Sequence, residues 1–415
     1  MTRPLLSLRA TDSADSEVVF TALRAALSGD GPAILPAAGM NSGGRPRGTG
    51  LFTEFSLPAE VPRRVALVVE TSGSSGAPKR VMLSANALLA SAAASDSALG
   101  GPGQWLLALP LHYIAGLNVL VRSIAADSSP VVLAGGTFTA ERFIQTAAGM
   151  DRTLRHYTSV VPVQLARLVS AAEAESATAA ALRRFDGILV GGQSTPPALL
   201  ARAVALGLAL TRSYGSSETA GGCVYDGRML QGVAARIRDG QIELSGAILA
   251  EGYLGDAQRT TASFVIDEGG ERWYRTGDGG ELLVDGTLSI IGRLDRVIIS
   301  GGIKVSLDAV ERVLGELPGL CDAVALSQPD PEWGERIVVV GAVAAAATYE
   351  TATEIEAAAT AAVSHTAATL ETVSAALVTA LGRAAAPARF VVVPQIPRLA
   401  SGKPDRLAVR ALISG

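Results

Sequence analysis

Thr71-Ser-Gly-Ser-Ser-Gly-Ala-Pro-Lys79 is a run of small hydroxyl and glycine residues closed by one lysine, directly after the apolar run Val65–Val69. Small residues let backbone N–H groups approach an anion closely, hydroxyls add donors, and the lysine adds positive charge. That is chemistry for a polyphosphate. The spacing is not the G-x-x-x-x-G-K-[ST] of a Walker loop, since glycines stand at 73 and 76 and Arg80 follows Lys79. Taken alone, the segment could equally be a plain hairpin loop.

Five further segments bring polar groups into or beside apolar runs. In Leu109-Pro-Leu-His-Tyr-Ile-Ala-Gly-Leu117, His112 and Tyr113 interrupt an otherwise apolar stretch. Tyr214-Gly-Ser-Ser-Glu-Thr219 reads as a tight turn that sets an acid beside hydroxyls. Trp273-Tyr-Arg-Thr-Gly-Asp278, Gly292-Arg-Leu-Asp-Arg-Val-Ile-Ile-Ser-Gly-Gly-Ile-Lys304 and Pro397-Arg-Leu-Ala-Ser-Gly-Lys403 combine glycine with charged side chains.

The elements that must hold these segments follow from hydrophobic period and punctuation. Val65–Val69, Trp105–Leu109, Val131–Leu133, Gly187–Val190 and Leu208–Leu210 read as buried strands. Between them, a helix capped by Ser84 and helices over Phe138–Ala148 and Pro197–Ala205 are predicted. Strands alternating with helices imply an α/β domain with a mainly parallel sheet. From about Gly227 the texture changes to short alternating strands, Ile237–Leu244, Glu281–Val284 and Leu288–Ile291, with turn signals at Asp239-Gly240 and Asp285-Gly286. An α+β tail follows, with a helix at Ala309–Leu317, strands at Ala323–Ser327, Ile337–Ala342 and Arg389–Val393, and an Ala-rich helix over Thr353–Arg383. The expected fold class is α/β: a large N-terminal domain (1–293) of α/β layers with a small β region, then a small mobile α+β C-terminal domain (294–415). Asn41–Gly48 reads as a mobile surface loop.

At 415 residues the chain has length for two or three domains of roughly 150 residues each. Hydrophobic content of 48% fills a large core, and with 4% aromatic residues that core must be Ala, Val and Leu. A net charge of -4 without a long basic run argues against a nucleic-acid partner. Cys223 and Cys321 are too few for a disulfide framework and lack zinc-ligand spacing, which fits a reducing cytoplasm. The N-terminus has no apolar stretch of signal-peptide length, and the longest apolar run, Ile337–Ala347, falls short of the roughly 20 residues of a spanning helix.

In order and spacing, these segments together resemble the adenylate-forming superfamily of acyl-CoA synthetases, luciferases and peptide-synthetase adenylation domains, over about Val65–Arg406. Tyr214-Gly-Ser-Ser-Glu-Thr-Ala-Gly-Gly-Cys-Val-Tyr-Asp-Gly227 and the segment Leu109–Ser123 look more narrowly like actinobacterial 2-succinylbenzoate–CoA ligases of menaquinone biosynthesis. The resemblance implies two half-reactions: a carboxylate attacks the α-phosphate of ATP, then the thiol of coenzyme A displaces AMP. Both depend on charge neutralisation and alignment more than on a protein nucleophile. Other aryl- or acyl-CoA synthetases, and an amino-acid adenylation enzyme, share this machinery. Against the last, no acid to meet a substrate amine stands out, and no carrier domain is expected.

The resemblance also implies roles. Thr71, Ser72, Gly73, Ser74, Ser75, Gly76 and Lys79 would grip the β- and γ-phosphates. Glu218 would act catalytically by holding Mg2+, with an N-cap or surface acid as the alternative. Ser217 and Thr219 would donate near the α-phosphate, Tyr214 would stack near adenine with Gly215 also cofactor-binding, and Gly191, Gly192 and Gln193 would border the adenine and acyl pocket. Asp278 would accept from the ribose hydroxyls, and Arg293 would reach the ribose or phosphates or form a hinge-region ion pair. Lys403 would be the catalytic residue of adenylation. Asp295 matches the family's hinge; after rotation about it, Gly301 and Gly302 would let the pantetheine arm approach the backbone.

Departures from the family pattern are His112-Tyr113 in place of aromatic-His, Glu70 before Thr71, and Arg80 after Lys79, the last either a phosphate contact or a solvent residue. A 2-succinylbenzoate site must also satisfy a second carboxylate, because burying it unpaired is costly. His112, Tyr113, Arg122 and Ser159, with Thr158, are the candidates, and an interior role for Arg122 is the alternative. Expected partners are small molecules: an aromatic dicarboxylate, ATP and coenzyme A, with a homodimer allowed.

Overall fold

The protein is described from a computed structural model covering residues 1–10, 14–38, 57–71, 79–320, 322–342, 369–398 and 403–414. Asn41–Gly48, Cys321, His365 and most of the phosphate loop lie outside the described residues. The chain forms two compact units, one of residues 1–195, 199–276 and 282–289, the other of 196–198, 277–281 and 290–415.

The first unit contains a seven-stranded sheet in the order Arg228–Met229, Gly221–Tyr225, Leu210–Ser216, Gly187–Gly191, His156–Val160, Gln104–Leu107 and Val131–Val132. Its last five strands are parallel and the first two antiparallel. The three central parallel strands, Gly187–Gly191, His156–Val160 and Gln104–Leu107, are almost wholly buried, whereas Leu210–Ser216 and Val131–Val132 are not. One face is covered by helices Ala140–Ala147, Pro162–Ala174 and Ser176–Leu182 around Phe143, Leu165, Phe185 and Ile188. Helices Ala85–Leu99 and Ile114–Ala125 also pack in this unit, the first capped by Ser84 Oγ, which accepts from the Ala87 N–H.

A second, six-stranded sheet runs Gly252–Tyr253, Lys79–Ser84, Val65–Thr71, Ala33–Ala37, Thr2–Arg9 and Glu60–Pro62. It is mixed: only its Val65, Ala33 and Thr2 strands are parallel neighbours, so the expectation of one mainly parallel sheet holds for the seven-stranded sheet alone. The expected antiparallel region is a hairpin of Val233–Arg238 and Gln241–Gly246, continued by Arg272–Leu282 and Phe264–Ile266. Asp239 and Gly240, at φ 52° and 75°, form its two-residue turn. Glu281–Val284 is not a separate strand; Glu281 and Leu282 end the Arg272–Leu282 strand.

The second unit has a sheet ordered Ile303–Ser306, Val297–Ser300, Gly334–Ala342 and Val324–Asp330, with Pro387–Val393 parallel to Gly334–Ala342. Helices Leu307–Leu314 and Leu370–Leu381 bury Val310, Leu314, Val373 and Leu377 in one apolar cluster. Helix Arg406–Ser414 places Val409 in another with Val324, Leu326, Val338 and Val340. The described part of the Ala-rich stretch is helical at Leu370–Leu381, and 353–368 lies outside the described residues. Among the described residues no helix is long and apolar enough to cross a membrane.

Candidate active site

Thr71 and Lys79, at the two ends of the proposed phosphate segment, face each other as the last antiparallel pair of their strands, and residues 72–78 between them lie outside the described set. One step back, Arg80 Nε donates to Glu70 Oε2 at 3.1 Å across the same pair. The two departures from the family pattern are thus partners of each other.

Glu218 sits in a 3-10 turn, Ser217–Thr219, and is 6% exposed. The turn ends in Ala220 with a left-handed φ of 51°. Asn118 Nδ2 at 2.9 Å and Ser91 Oγ at 3.1 Å both donate to the Ala220 carbonyl, so two helices pin the backbone that aims Glu218. The Ala250 N–H donates to the Glu218 carbonyl at 2.8 Å, and the Tyr253 hydroxyl donates to Glu218 Oε1 at 2.9 Å. Lys79 Nζ lies 5.7 Å from the Tyr253 ring centroid. Burial and the Glu218 charge push the Tyr253 phenol well up, so it stays a donor. Lys79, Tyr253 and Glu218 thus form one cluster. Tyr253, Ser91 and Asn118 were not singled out in the sequence; for Asn118 the signal was a lone amide inside Ile-Ala-Gly-Leu-Asn-Val-Leu-Val.

The hydroxyls of the turn are arranged differently from expectation. Thr219 Oγ1 accepts from the Ser216 N–H at 2.9 Å and donates to the Gly221 carbonyl at 2.7 Å. With one hydrogen and no surface exposure, it serves the turn and not a ligand. Ser216 Oγ, beside the 6%-exposed Ser217, is a buried hydroxyl with no partner among the described residues. Tyr214 and Gly215 lie in the strand Leu210–Ser216, where a Cβ on Gly215 would stand 2.0 Å from the Gly221 carbonyl oxygen, so only glycine fits. Gly191 and Gly192, followed by Gln193, leave the carboxyl end of a parallel strand, the end where α/β sheets bind ligands.

The acyl-pocket candidates separate. His112 and Tyr113 precede helix Ile114–Ala125 with ring centroids 4.1 Å apart. His112 Nδ1 is 3.5 Å from the Ala10 carbonyl, and its Nε2 is buried without a protein partner. Burial lowers the His112 pKa, against the pull of that carbonyl, which favours a neutral ring with Nε2 as acceptor. Arg122 is 3% exposed, lies over the Trp105 ring at 4.6 Å and donates to the Tyr225 hydroxyl at 3.3 Å. These contacts favour the interior alternative for Arg122, although its Nε is buried without a partner among the described residues. Thr158 Oγ1 is committed to the Leu106 carbonyl at 3.0 Å, while Ser159 is buried in the strand beside Leu189.

Within the second unit, Asp278, Arg293 and Lys403 come together. Arg293 Nη1 is 3.5 Å from Asp278 Oδ1, and its other nitrogens grip both oxygens of Asp295 at 2.9 and 3.1 Å. The ion pair and the ribose-facing position considered for Arg293 are thus adjacent. Lys403 lies in a loop closed by a backbone bridge between Arg398 and Pro404, and the Asp405 N–H donates to the Pro397 carbonyl at 2.8 Å. Arg406 holds the next helix to Glu311, which also binds Arg296. Although Lys403 is exposed as a residue, its ammonium is crowded by protein atoms. This loss of solvent lowers its pKa, Arg406 and Arg293 act the same way, and Asp278 opposes them. Gly301 and Gly302, at φ 57° and 80°, make the two-residue turn between Val297–Ser300 and Ile303–Ser306. A Cβ on Gly301 would be 2.7 Å from the Trp333 ring, whereas that of Gly302 would meet open space, so Gly301 is required by both packing and φ and Gly302 by φ alone.

The chain thus has an α/β unit that carries Thr71, Lys79 and the buried Glu218, and an α+β unit that carries Asp278, Arg293 and Lys403. The chain belongs to the AMP-binding enzyme family, whose model matches residues 10–292. It is 35% identical over 401 residues to a probable 2-succinylbenzoate–CoA ligase of Mycobacterium tuberculosis, covering 96% of each chain. The 2-succinylbenzoate–CoA ligase of Escherichia coli is 32% identical over 67% of this chain and 59% of its own. The fold matches the o-succinylbenzoate CoA synthetase of Bacillus subtilis, solved with its acyl-adenylate intermediate, with TM-score 0.72 at 22% identity, covering 98% of this chain and 87% of that one.

Proposed function

We propose that this protein is an AMP-forming acid–thiol ligase that activates 2-succinylbenzoate with ATP and passes the acyl group to coenzyme A, in menaquinone biosynthesis. The observation that carries this substrate is the match to the mycobacterial ligase, which spans 96% of both chains. In the first half-reaction a carboxylate oxygen bonds to the α-phosphorus and the bond to pyrophosphate breaks. In the second, the thiol sulfur bonds to the acyl carbon and AMP leaves.

Residue roles in this proposal draw on the geometry. The Thr71–Lys79 segment grips the β- and γ-phosphates, with Ser216 and Ser217 beside the α-phosphate in place of Thr219. Asp278 takes the ribose hydroxyls, and Lys403, whose ammonium senses Asp278 and Arg293, neutralises charge as the carboxylate meets the α-phosphate. Glu218 fits Mg2+: its Oε1 is occupied by Tyr253, its second oxygen accepts from no described residue, and one carboxylate plus substrate phosphates is the usual Mg2+ donor set. When bound, the ion offsets phosphate charge. A reducing cytoplasm is the proposed setting, and Cys223 is a free, buried thiol.

The test is pyrophosphate release over a panel of carboxylic acids with ATP and Mg2+, with and without coenzyme A. Turnover with 2-succinylbenzoate well above benzoate and fatty acids is expected. Strong turnover with those acids and none with 2-succinylbenzoate refutes the substrate.

A further inference from the structure

We propose that Tyr253 is a positioning residue of the adenylating site, its hydroxyl orienting Glu218 while its ring face receives Lys79. The proposal rests on the reading of Glu218 as the metal carboxylate and Lys79 as the phosphate lysine.

Tyr253 owes its place to the edge of the six-stranded sheet. The two-residue strand Gly252–Tyr253 pairs antiparallel with Lys79–Ser84, setting Tyr253 opposite Val81, two residues from Lys79. Its backbone N–H donates to Thr260 Oγ1 at 2.9 Å, and that hydroxyl donates to the Asp256 carbonyl at 2.8 Å. Asp256 in turn caps helix Ala257–Ser263 through the Arg259 N–H. The ring packs on Phe264 at 5.9 Å between centroids, and the residue is 4% exposed. A side chain fixed from backbone to ring tip has little freedom, so its hydroxyl is a fixed donor.

Glu218 needs such a donor. A buried carboxylate without a hydrogen bond is strongly disfavoured, and one held by a single oxygen keeps the other for an incoming cation. The Tyr253 hydroxyl takes Oε1, and no described residue donates to Oε2. The π-face of the same ring attracts the Lys79 ammonium. One aromatic side chain therefore sets the separation between the groups that would hold the cation and the phosphates.

The experiment compares Tyr253→Phe, Tyr253→Leu, Glu218→Gln and the Tyr253→Phe/Glu218→Gln double variant. Mn2+ binding is followed by electron paramagnetic resonance with a non-hydrolysable ATP analogue, and metal-free analogue binding by calorimetry. Phenylalanine keeps the ring on Phe264, and thermal melts verify that each protein is folded at the assay temperature. Tyr253→Phe should weaken Mn2+ binding roughly ten- to hundredfold, the range for a lost hydrogen bond to a charged group, and leave metal-free analogue binding within about twofold. Tyr253→Leu should also weaken the metal-free binding. The double variant should bind Mn2+ no worse than Glu218→Gln. If Glu218→Gln is impaired while Tyr253→Phe binds Mn2+ like the parent, Tyr253 has no positioning role. If Glu218→Gln itself binds Mn2+ normally, the metal role of Glu218 fails and the Tyr253 proposal falls with it.

Discussion

Replacing Glu311 with glutamine removes one charge from the junction that holds the Lys403 loop and keeps the side chain's shape. The Glu311 carboxylate accepts from Arg296 at 2.8 and 3.1 Å, from Arg406 at 2.8 and 3.1 Å, and from the Ala325 N–H at 3.0 Å. Its side chain is 20% exposed, against 14% for Arg296 and 36% for Arg406. Breaking one member of a buried pair costs about 3–5 kcal/mol, and a fully exposed pair contributes about 0–1 kcal/mol. This junction lies between those limits. Asp308 still pairs with Arg296, and glutamine still accepts one bond, so a loss of about 2–3 kcal/mol follows. For a unit of about 100–150 residues that is a fall in Tm of roughly 6–15 °C, measurable by scanning calorimetry. Arg406 opens the helix three residues after Lys403, so the same change should lower adenylation at least about tenfold at temperatures where the protein stays folded. A Tm change below about 2 °C, or full adenylation despite a large one, would refute the reasoning.

Three more outcomes follow from the site. Lys403→Ala should abolish adenylate formation while sparing thioester formation from supplied adenylate, and equal loss of both points to a structural lysine. Because the Lys403 pKa is lowered, its charge is lost as pH rises through a value below that of ordinary lysine; the alkaline limb of adenylation should therefore fall early and vanish in Lys403→Ala. The unfolded chain binds the extra proton in that window, so this group's share of stability is weakest below the lowered value and improves as pH rises through it. Arg122→Met should destabilise the first unit by about 2–4 kcal/mol and raise the Asp96 pKa further, since burial already raises it and Arg122 opposes that. Its KM for 2-succinylbenzoate should be unchanged when folded, and a tenfold rise in KM without loss of Tm returns Arg122 to the substrate. Burial pushes the Cys223 thiol up to about 12, so peptide mapping after native labelling with iodoacetamide should find it unmodified and Cys223→Ala active.

The strands most legible in the sequence were those whose physics is local. Val65–Val69 and Gly187–Val190 are apolar without interruption because both faces are covered, and Ser84 announces its helix because the cap bond spans three residues. Pro197–Ala205 was predicted to the residue, since proline starts a helix and the glycine at 207 follows its end. Mixed pairing in the six-stranded sheet was not legible. Which edge Gly252–Tyr253 joins depends on contacts more than 160 residues away in sequence, and two residues carry no period.

The site divides along the same line. Residue types singled out Thr71–Lys79, Glu218, Asp278 and Lys403 as candidates, because each proposed chemistry needs a charge or a flexible backbone that stands out against its neighbours. Partnership is what residue types could not give. Arg122 read as a candidate substrate cation, but Trp105 and Tyr225 contact it in the fold, and Thr219 read as a phosphate donor until its one hydrogen went to the Gly221 carbonyl. Arg80 meets Glu70 across the strand pair, a pairing fixed by register and not by adjacency. A polar side chain is available to a ligand only where the fold leaves an atom without a partner, and among the described residues Ser216 Oγ, His112 Nε2, Arg122 Nε and the second oxygen of Glu218 meet that criterion whereas Thr219 does not.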